Sequence, residues 1–334
     1  VTGVFIRGWQ PDWIPCTWKT DRISAMRTAA HLEIPFVTLD LEREYKDKVV
    51  TYLLKEYSEG RTPNPDMLCN REIKFGKFLE WATRNGADFV ATGHYAQIRD
   101  GNMLESEDDE KDQTYFLSQL SNDQLKHALF PIGHLEKSEV RKIAEENNLP
   151  VASRKDSQGI CFVGKIDFHE FLRKKNEAHP GAIVDKDGKK LGEHDGLDAY
   201  TIGQRHGLFV TKESKSWYVA KKNLAKNELI VVNDREDPLM HSSEALLRNV
   251  HWISSPFFPK EGAGDDSART EASCAIRYRQ TPMACTIEKD GEYWLLRFAE
   301  PVWALAPGQS AVLYAGDECL GGGFLHDLPV DSRT

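Results

Sequence analysis

The chain has 334 residues, of which 40% are hydrophobic and 28% charged, and a formal net charge of −9. That length accommodates two or three domains, and no apolar run approaches the roughly 20 residues that an α-helix needs to span a bilayer. The negative balance excludes sequence-blind adhesion to nucleic acid through a generally basic surface. Six scattered cysteines, at 16, 69, 161, 274, 285 and 319 and none in a Cys-x-x-Cys pair, exclude a small disulfide-stapled domain and weigh against a structural zinc site.

The first 160 residues alternate strand-like and helix-like patterns, the signature of an α/β domain. Residues 4–6 and 35–39 read as buried strands. Between them a helix from about Asp21 presents Ile23, Met26, Ala30 and Leu32 at helical spacing as its core face. A second helix, from about Glu72, places Phe75, Phe78, Leu79 and Ala82 on one face. A strand over 87–91 follows and delivers Thr92-Gly93-His94 at its carboxyl end, where ligands of open parallel sheets bind. Helix signals recur over 138–144 and around Phe168, Phe171 and Leu172. From Pro180 onward, glycines and turn pairs dominate. Lys186-Asp187-Gly188-Lys189 and Lys289-Asp290-Gly291-Glu292 each read as a hairpin, and 272–276, 284–288, 293–298 and 310–314 read as strands of a small all-β domain. The stretch 259–268, with its Gly, Pro and clustered acids, reads as a loop.

Two cysteines stand in distinctive surroundings. Cys69 ends Arg61-Thr62-Pro63-Asn64-Pro65-Asp66-Met67-Leu68-Cys69, in which the prolines prevent helix before Asp66 and a helix starts around it. A cysteine near a helix N-terminus is biased toward thiolate, Asp66 can shuttle a proton, and Asn64 can hydrogen-bond a base edge. The same residues are equally compatible with Asp66 as a helix cap and Cys69 as a small buried hydrophobe. Cys161, in Lys155-Asp156-Ser157-Gln158-Gly159-Ile160-Cys161-Phe162, follows a flexible glycine and lies near Arg154 and Lys155, whose charge lowers a thiol pKa if it faces the sulfur. Alternatively it is a core residue beside Ile160 and Phe162. Basic residues for a polyanion are concentrated at Arg141-Lys142, Arg154-Lys155, Arg173-Lys174-Lys175, Lys189-Lys190 and Arg205, each also readable as solvated surface charge.

Gly-Arg-Thr-Pro-Asn-Pro-Asp, Ala-Thr-Gly-His-Tyr, Lys-Asp-Gln-x-Tyr-Phe-Leu, Gly-Gln-Arg-x-Gly-Leu and Pro-Gly-Gln-Ser-Ala-Val occur here in one order. From Val4 to Leu325 the chain thereby resembles the tRNA-specific 2-thiouridylase family, which replaces the C2 oxygen of the wobble uridine with sulfur. The family opens with a strand and a Ser-Gly-Gly-Val-Asp-Ser phosphate loop, whereas Val1-Thr2-Gly3-Val4-Phe5-Ile6 is similar to its second strand. The loop that cradles pyrophosphate is therefore not expected in these residues.

The resemblance implies a parallel-sheet α/β domain of ATP-pyrophosphatase type over 1–162, a small central tRNA-contacting domain over 163–236 and a C-terminal antiparallel β-barrel over 237–330. It implies ATP, with Mg2+, as the activating nucleotide, near Ile6 and Gly93, and neither a prosthetic group nor a bound catalytic metal. It implies that Cys161 carries a persulfide sulfur, that Cys69 is its partner thiol, and that Asp66 is the general acid or base. For tRNA it marks Asn64, Pro65, Asp66, His94, Lys111, Asp112, Gln113, Arg277, Tyr278 and Gln309. Splayed loops are read by stacking and base-edge hydrogen bonds, and the target base must leave the anticodon stack. A persulfide donor, such as a cysteine desulfurase or sulfur-relay protein, is the second expected partner. A cytoplasmic location is expected, with the mitochondrial matrix as the alternative. Two rival functions are a catalytically inactive tRNA-binding fragment and another adenylating ligase of the ATP-pyrophosphatase type.

Overall fold

The computed structural model describes residues 1–11, 13, 18–154, 171–172, 179–208, 210, 216–254 and 269–326. The loop expected over 259–268, the helix residue Phe168 and Cys161 lie outside the described residues.

Parallel pairing in the N-terminal part occurs in two separate pieces. Strands β1 (Gly3–Arg7) and β2 (Phe36–Asp40) pair in register Ile6 to Leu39. Further on, β3 (Val90–Ala91) leads to the hairpin of β4 (Gln97–Arg99) and β5 (Asn102–Leu104), and β3 pairs in parallel with β6 (Ala128–Leu129). The strands read as buried are only half covered: within β1 Ile6 alone is buried, and β2 has no fully buried residue. The helix between β1 and β2, Trp18–His31, turns the expected face outward. Ile23, Met26 and Leu32 are 41%, 39% and 49% exposed, Ala30 is exposed as well, and its one buried residue is Ala29. The apolar spacing was a true helix signal and a false guide to the side that packs.

The helical run 65–84 organises the domain. Pro63 and Pro65 hold the approach extended, Asn64 caps the run by accepting from the Asp66 backbone N–H at 3.0 Å, and Pro65 occupies the first position, where its missing N–H costs nothing. The helix thus begins seven residues earlier than the apolar pattern suggests. Its middle, Cys69–Lys77, is π-helical, a form concentrated at functional sites. One face buries Met67, Phe75 and Ala82 and the other buries Leu68, Cys69 and Ile73, so the run separates two hydrophobic clusters.

The central part is a four-stranded sheet of β7 (Gly181–Val184), β8 (Lys190–His194), β9 (Tyr218–Asn223) and β10 (Glu228–Val232), ordered β8-β7-β10-β9 with β7 and β10 parallel. The expected hairpin at Gly188 joins β7 to β8; Asp185 accepts from the Asp187 and Lys189 backbone N–H groups at 3.1 and 2.8 Å.

Strands β11 (His241–Trp252), β12 (Thr270–Ala275), β13 (Met283–Asp290), β14 (Tyr293–Trp303), β15 (Ser310–Ala315) and β16 (Glu318–His326) form a closed antiparallel barrel, since β11 pairs with both β14 and β16. The hairpin at Gly291 joins β13 to β14 as expected. Closure crowds β16, which carries Gly321-Gly322-Gly323: a Cβ on Gly322 would sit 2.2 Å from the Ala311 carbonyl oxygen and one on Gly321 2.1 Å from that of His251. The β4–β5 hairpin joins this sheet through Leu104 and Glu318. One cluster then runs from Met67, Phe75, Tyr115, Leu117 and Leu120 into Ile253, Ala275, Val312, Tyr314 and Cys319, so the α/β part and the barrel share a core.

Candidate active site

Asn64, half-buried, spends its Oδ1 on the helix cap, so its amide nitrogen is the group it has left to donate. Asp66 is the second helical residue, and its carboxylate is not the cap. Cys69 is the fifth; its backbone N–H already bonds within the helix to Pro65 and Asp66 carbonyls. It therefore sits a full turn inside the helix, where the dipole has largely decayed, and it is completely buried among Leu68, Ile73, Leu53, Tyr57 and Ile6. The structure thus brings Ile6 and Cys69 into one cluster, together with Phe171 and Leu172.

His94 follows β3 and is 8% exposed. The Lys74 ammonium, 3.2 Å from Nε2, donates to it, so Nδ1 carries the imidazole proton and donates to Thr92 Oγ1 at 2.8 Å. Burial first, and the Lys74 charge second, hold this imidazole well below its ordinary pKa, so it is neutral. Phe75 and Phe130 pack against its ring, at 6.2 and 6.0 Å between centroids. Gly93, exposed beside it, leaves its Cβ position 3.9 Å from the nearest atom, Ile132 Cδ1, room for a ligand to approach the backbone.

Asp112 and Gln113 are committed to local structure. Asp112 accepts from the Ser106 and Thr114 backbone N–H groups, at 2.9 and 3.1 Å, and from the Thr114 hydroxyl at 2.5 Å; burial nonetheless raises its pKa. Gln113 accepts from the Tyr95 backbone N–H through Oε1 at 3.0 Å. Lys111 precedes them, half-buried.

Arg277 donates to the Ala304 carbonyl at 2.7 Å and lies over Trp303, 5.1 Å from its ring centre; burial lowers its pKa. Tyr278 packs against Phe116 at 4.4 Å, with the Arg279 guanidinium 5.3 Å from its own ring. Phe116 sits in the Lys-Asp-Gln-x-Tyr-Phe-Leu motif, which sequence reasoning used only for its polar residues. Gln309 donates to the Thr62 carbonyl at 3.0 Å, two residues before Asn64. Sequence reasoning placed Thr92 beside His94 but missed that link and the residues Lys74 and Glu56. Glu56 alone carried a signal, a charged residue between Leu53 and Tyr57 on a buried helical face.

The adenine and ribose of a nucleotide fit an apolar strand-end residue such as Ile6 and an open backbone such as Gly93. The cations beside these two positions already have partners, Arg7 in Asp40 and Glu42 and Lys74 in His94. No group of three or more His, Cys, Asp or Glu able to hold a metal ion is found among the described residues, and no described helix is long and apolar enough to cross a membrane.

Comparison with known proteins finds family models over three stretches of the chain. Residues 1–165 match a family model described as a tRNA methyl transferase HUP domain, 169–233 a tRNA methyl transferase PRC-barrel domain, and 242–325 an aminomethyltransferase β-barrel domain. The chain is 46% identical over 339 residues to the tRNA-specific 2-thiouridylase MnmA of Neisseria meningitidis, covering 99% of this chain and 90% of that protein. It is 46% identical to the protein of that name from Exiguobacterium sibiricum, with 98% and 87% covered, and 44% identical to that from Listeria monocytogenes, with 97% and 87% covered.

Proposed function

Since the chain belongs to the tRNA-specific 2-thiouridylase family, we propose that it replaces the C2 oxygen of the wobble uridine of tRNA with sulfur, consuming ATP and a persulfide. Uridine C2 is a urea-like carbonyl whose oxygen leaves poorly. ATP, with Mg2+, supplies the adenylyl group that makes that oxygen a leaving group, and we assign Ile6 and Gly93 to its adenine and ribose side.

The chain's own residues do the rest. Asn64 and Pro65 border the extruded base, with the Asn64 amide nitrogen donating to its edge, and Asp66 moves the proton at pyrimidine N3. Cys161 presents the sulfane sulfur to C2, and Cys69, buried and shielded from bulk oxidants, attacks that sulfur's carrier to leave a Cys69–Cys161 disulfide that an external thiol reduces. Neutral His94 hydrogen-bonds the tRNA by exchanging its Thr92 or Lys74 partner. Arg277 and Tyr278 meet the backbone and bases, and Lys111 supplies a further positive charge. Asp112, Gln113 and Gln309 act by holding the loops that carry these groups. A cytoplasmic enzyme fits this substrate, and a cysteine desulfurase or sulfur-relay protein fits as the donor.

The observation that carries the reading is the Asn64-capped helix start, which sets an amide, a carboxylate and a buried thiol within about the first turn and a half of one helix. Cys161→Ser should abolish 2-thiouridine formation and leave tRNA affinity within about threefold, because serine keeps the shape and cannot carry sulfane sulfur. Peptide mapping after turnover without reductant should yield a Cys69–Cys161 disulfide. Appreciable 2-thiouridine from Cys161→Ser, or a bridge to Cys274 instead, would remove this pair from the mechanism.

A further inference from the structure

Glu56 is a carboxylate with 2% exposure on the helix Thr51–Ser58, and the reading above gives it no role. Its two oxygens receive Arg61, Nε at 2.7 Å and Nη2 at 3.0 Å, and one of them also receives Nη2 of Arg248 from barrel strand β11. Arg61 opens the loop that runs through Thr62 and Pro63 to Asn64 and Asp66, and its own backbone N–H donates to the Glu56 carbonyl at 2.9 Å. Glu56 is the ionic partner that Arg248 has among the described residues, and Arg248 Nε is buried without a hydrogen bond. Glu59 also accepts from Nη2 of Arg61, so the group is two carboxylates against two guanidinium ions, with no net charge to attract a ligand.

The loop just beyond is held from outside its own domain. The Thr62 backbone N–H donates to the Pro307 carbonyl at 2.8 Å and its carbonyl accepts from Gln309 at 3.0 Å. Between them Gly308, at φ 88°, passes so close that a Cβ would lie 2.9 Å from Arg61 Cβ and from Thr62 N. The central part adds Lys222, which donates to the Gly60 carbonyl at 2.8 Å, and Thr201, whose hydroxyl meets that of Thr62 at 3.3 Å. A solvent-exposed active-site loop needs none of this, and buried ion groups are costly to assemble relative to apolar packing.

We propose that Glu56 is a positioning residue: by gripping Arg61 and Arg248 together, it locks the barrel to the 60–66 loop and so fixes where Asn64 and Asp66 stand. Removing its charge leaves two guanidinium ions facing each other and reduces the loop's attachment to the barrel to the Thr62 bonds with Pro307 and Gln309. Displacement of about an ångström in a reacting group suffices for a hundredfold loss of rate. In its kinetic consequence the proposal rests on the thiolation reading above; in its structural consequence it does not.

The test is hydrogen exchange and steady-state kinetics on the full chain carrying Glu56→Gln, an isosteric change that abolishes the charge. Exchange of the Arg61, Thr62 and Asp66 amides should quicken at least tenfold, while β12, β13 and helix Lys137–Glu146 exchange as in the unmodified protein. The kcat for thiolation should fall ten- to a hundredfold, with KM for tRNA within threefold. Arg248→Lys, which keeps the charge and one contact, should give an intermediate effect on both readouts and serves if Glu56→Gln fails to fold. Glu56→Gln combined with Arg248→Met removes the unpaired charge; it should restore much of the global stability and leave the loop exchange fast. Unchanged exchange over 60–66, or acceleration spread evenly over all three parts, would overturn the proposal. If the unmodified protein thiolates no tRNA, the function fails, and the exchange result still decides the lock.

Discussion

Replacing Tyr115 by Phe removes one oxygen from the seam where the α/β part meets the barrel. Tyr115 is 3% exposed, and its hydroxyl donates to the Ser310 carbonyl on β15 at 3.0 Å, with the Ile276 carbonyl farther away at 3.4 Å. Burial raises the phenol pKa, so it is the neutral donor at any physiological pH. Phenylalanine keeps the ring contacts with Phe116 and Tyr278 and opens no cavity of consequence. The loss is therefore that of a buried hydrogen bond whose acceptor is left dry, about 1–3 kcal/mol. Because Tyr115 belongs to the cluster that spans both parts, the loss should move one common unfolding transition. Urea unfolding followed by tryptophan fluorescence, with Trp81 reporting the helical run and Trp294 the barrel, measures it. Tyr278→Phe, whose half-buried hydroxyl bonds to no described group, is the control and should stay within about 0.5 kcal/mol. A Tyr115→Phe protein as stable as its control, or two transitions of which one alone moves, would refute a shared core.

Three further outcomes follow from the geometry. Glu105 is pushed up to about 7 by burial, then by Asp112, Asp109 and Asp317; its folded form holds a proton that the unfolded chain has released, so stability falls as pH rises from about 4.5 to 7, and Glu105→Gln should gain on the order of 1 kcal/mol at pH 8 after allowance for solvent screening, measured by urea midpoints. The depressed pKa of His94 has the opposite sign: the unfolded chain binds the proton first, so stability falls as pH drops below about 6.5, and His94→Asn should flatten that limb of the pH–stability curve. Gly322→Ala should cost several kcal/mol or prevent folding, because its methyl meets the Ala311 carbonyl at 2.2 Å between paired strands; an alanine variant with wild-type melting would contradict barrel closure at that point.

The sequence showed most where local chemistry decides structure. Pro63-Asn64-Pro65 announced a helix start, although periodicity alone put it at Glu72, since the first turn carries capping residues where an apolar stripe would otherwise begin. The Gly188 and Gly291 hairpins were legible for the same reason. What was hidden depends on closure and on partners far along the chain. Strand β16 went unread because Gly321, Gly322 and Gly323 leave no side-chain alternation where β11 and β15 crowd it. Strand β11 was overlooked because its charged residues break any alternation, and one of them, Arg248, is spent on Glu56. The helix Trp18–His31 was found and its face misjudged, as spacing gives an apolar stripe without saying what lies against it. At the site, residue types pointed to Asp66, Cys69 and His94, whereas the Gln309 bond to Thr62 joins residues 247 apart, a distance no local pattern spans.

The central claim is that this chain, as a member of its family, puts sulfur on tRNA uridine. Incubating it with unmodified tRNA, ATP, Mg2+ and a persulfide donor, then digesting the tRNA to nucleosides for mass analysis, tests that directly. The account predicts 2-thiouridine at the wobble position, dependent on ATP and lost with Cys161→Ser. Uridine left unmodified while the tRNA remains bound would contradict it.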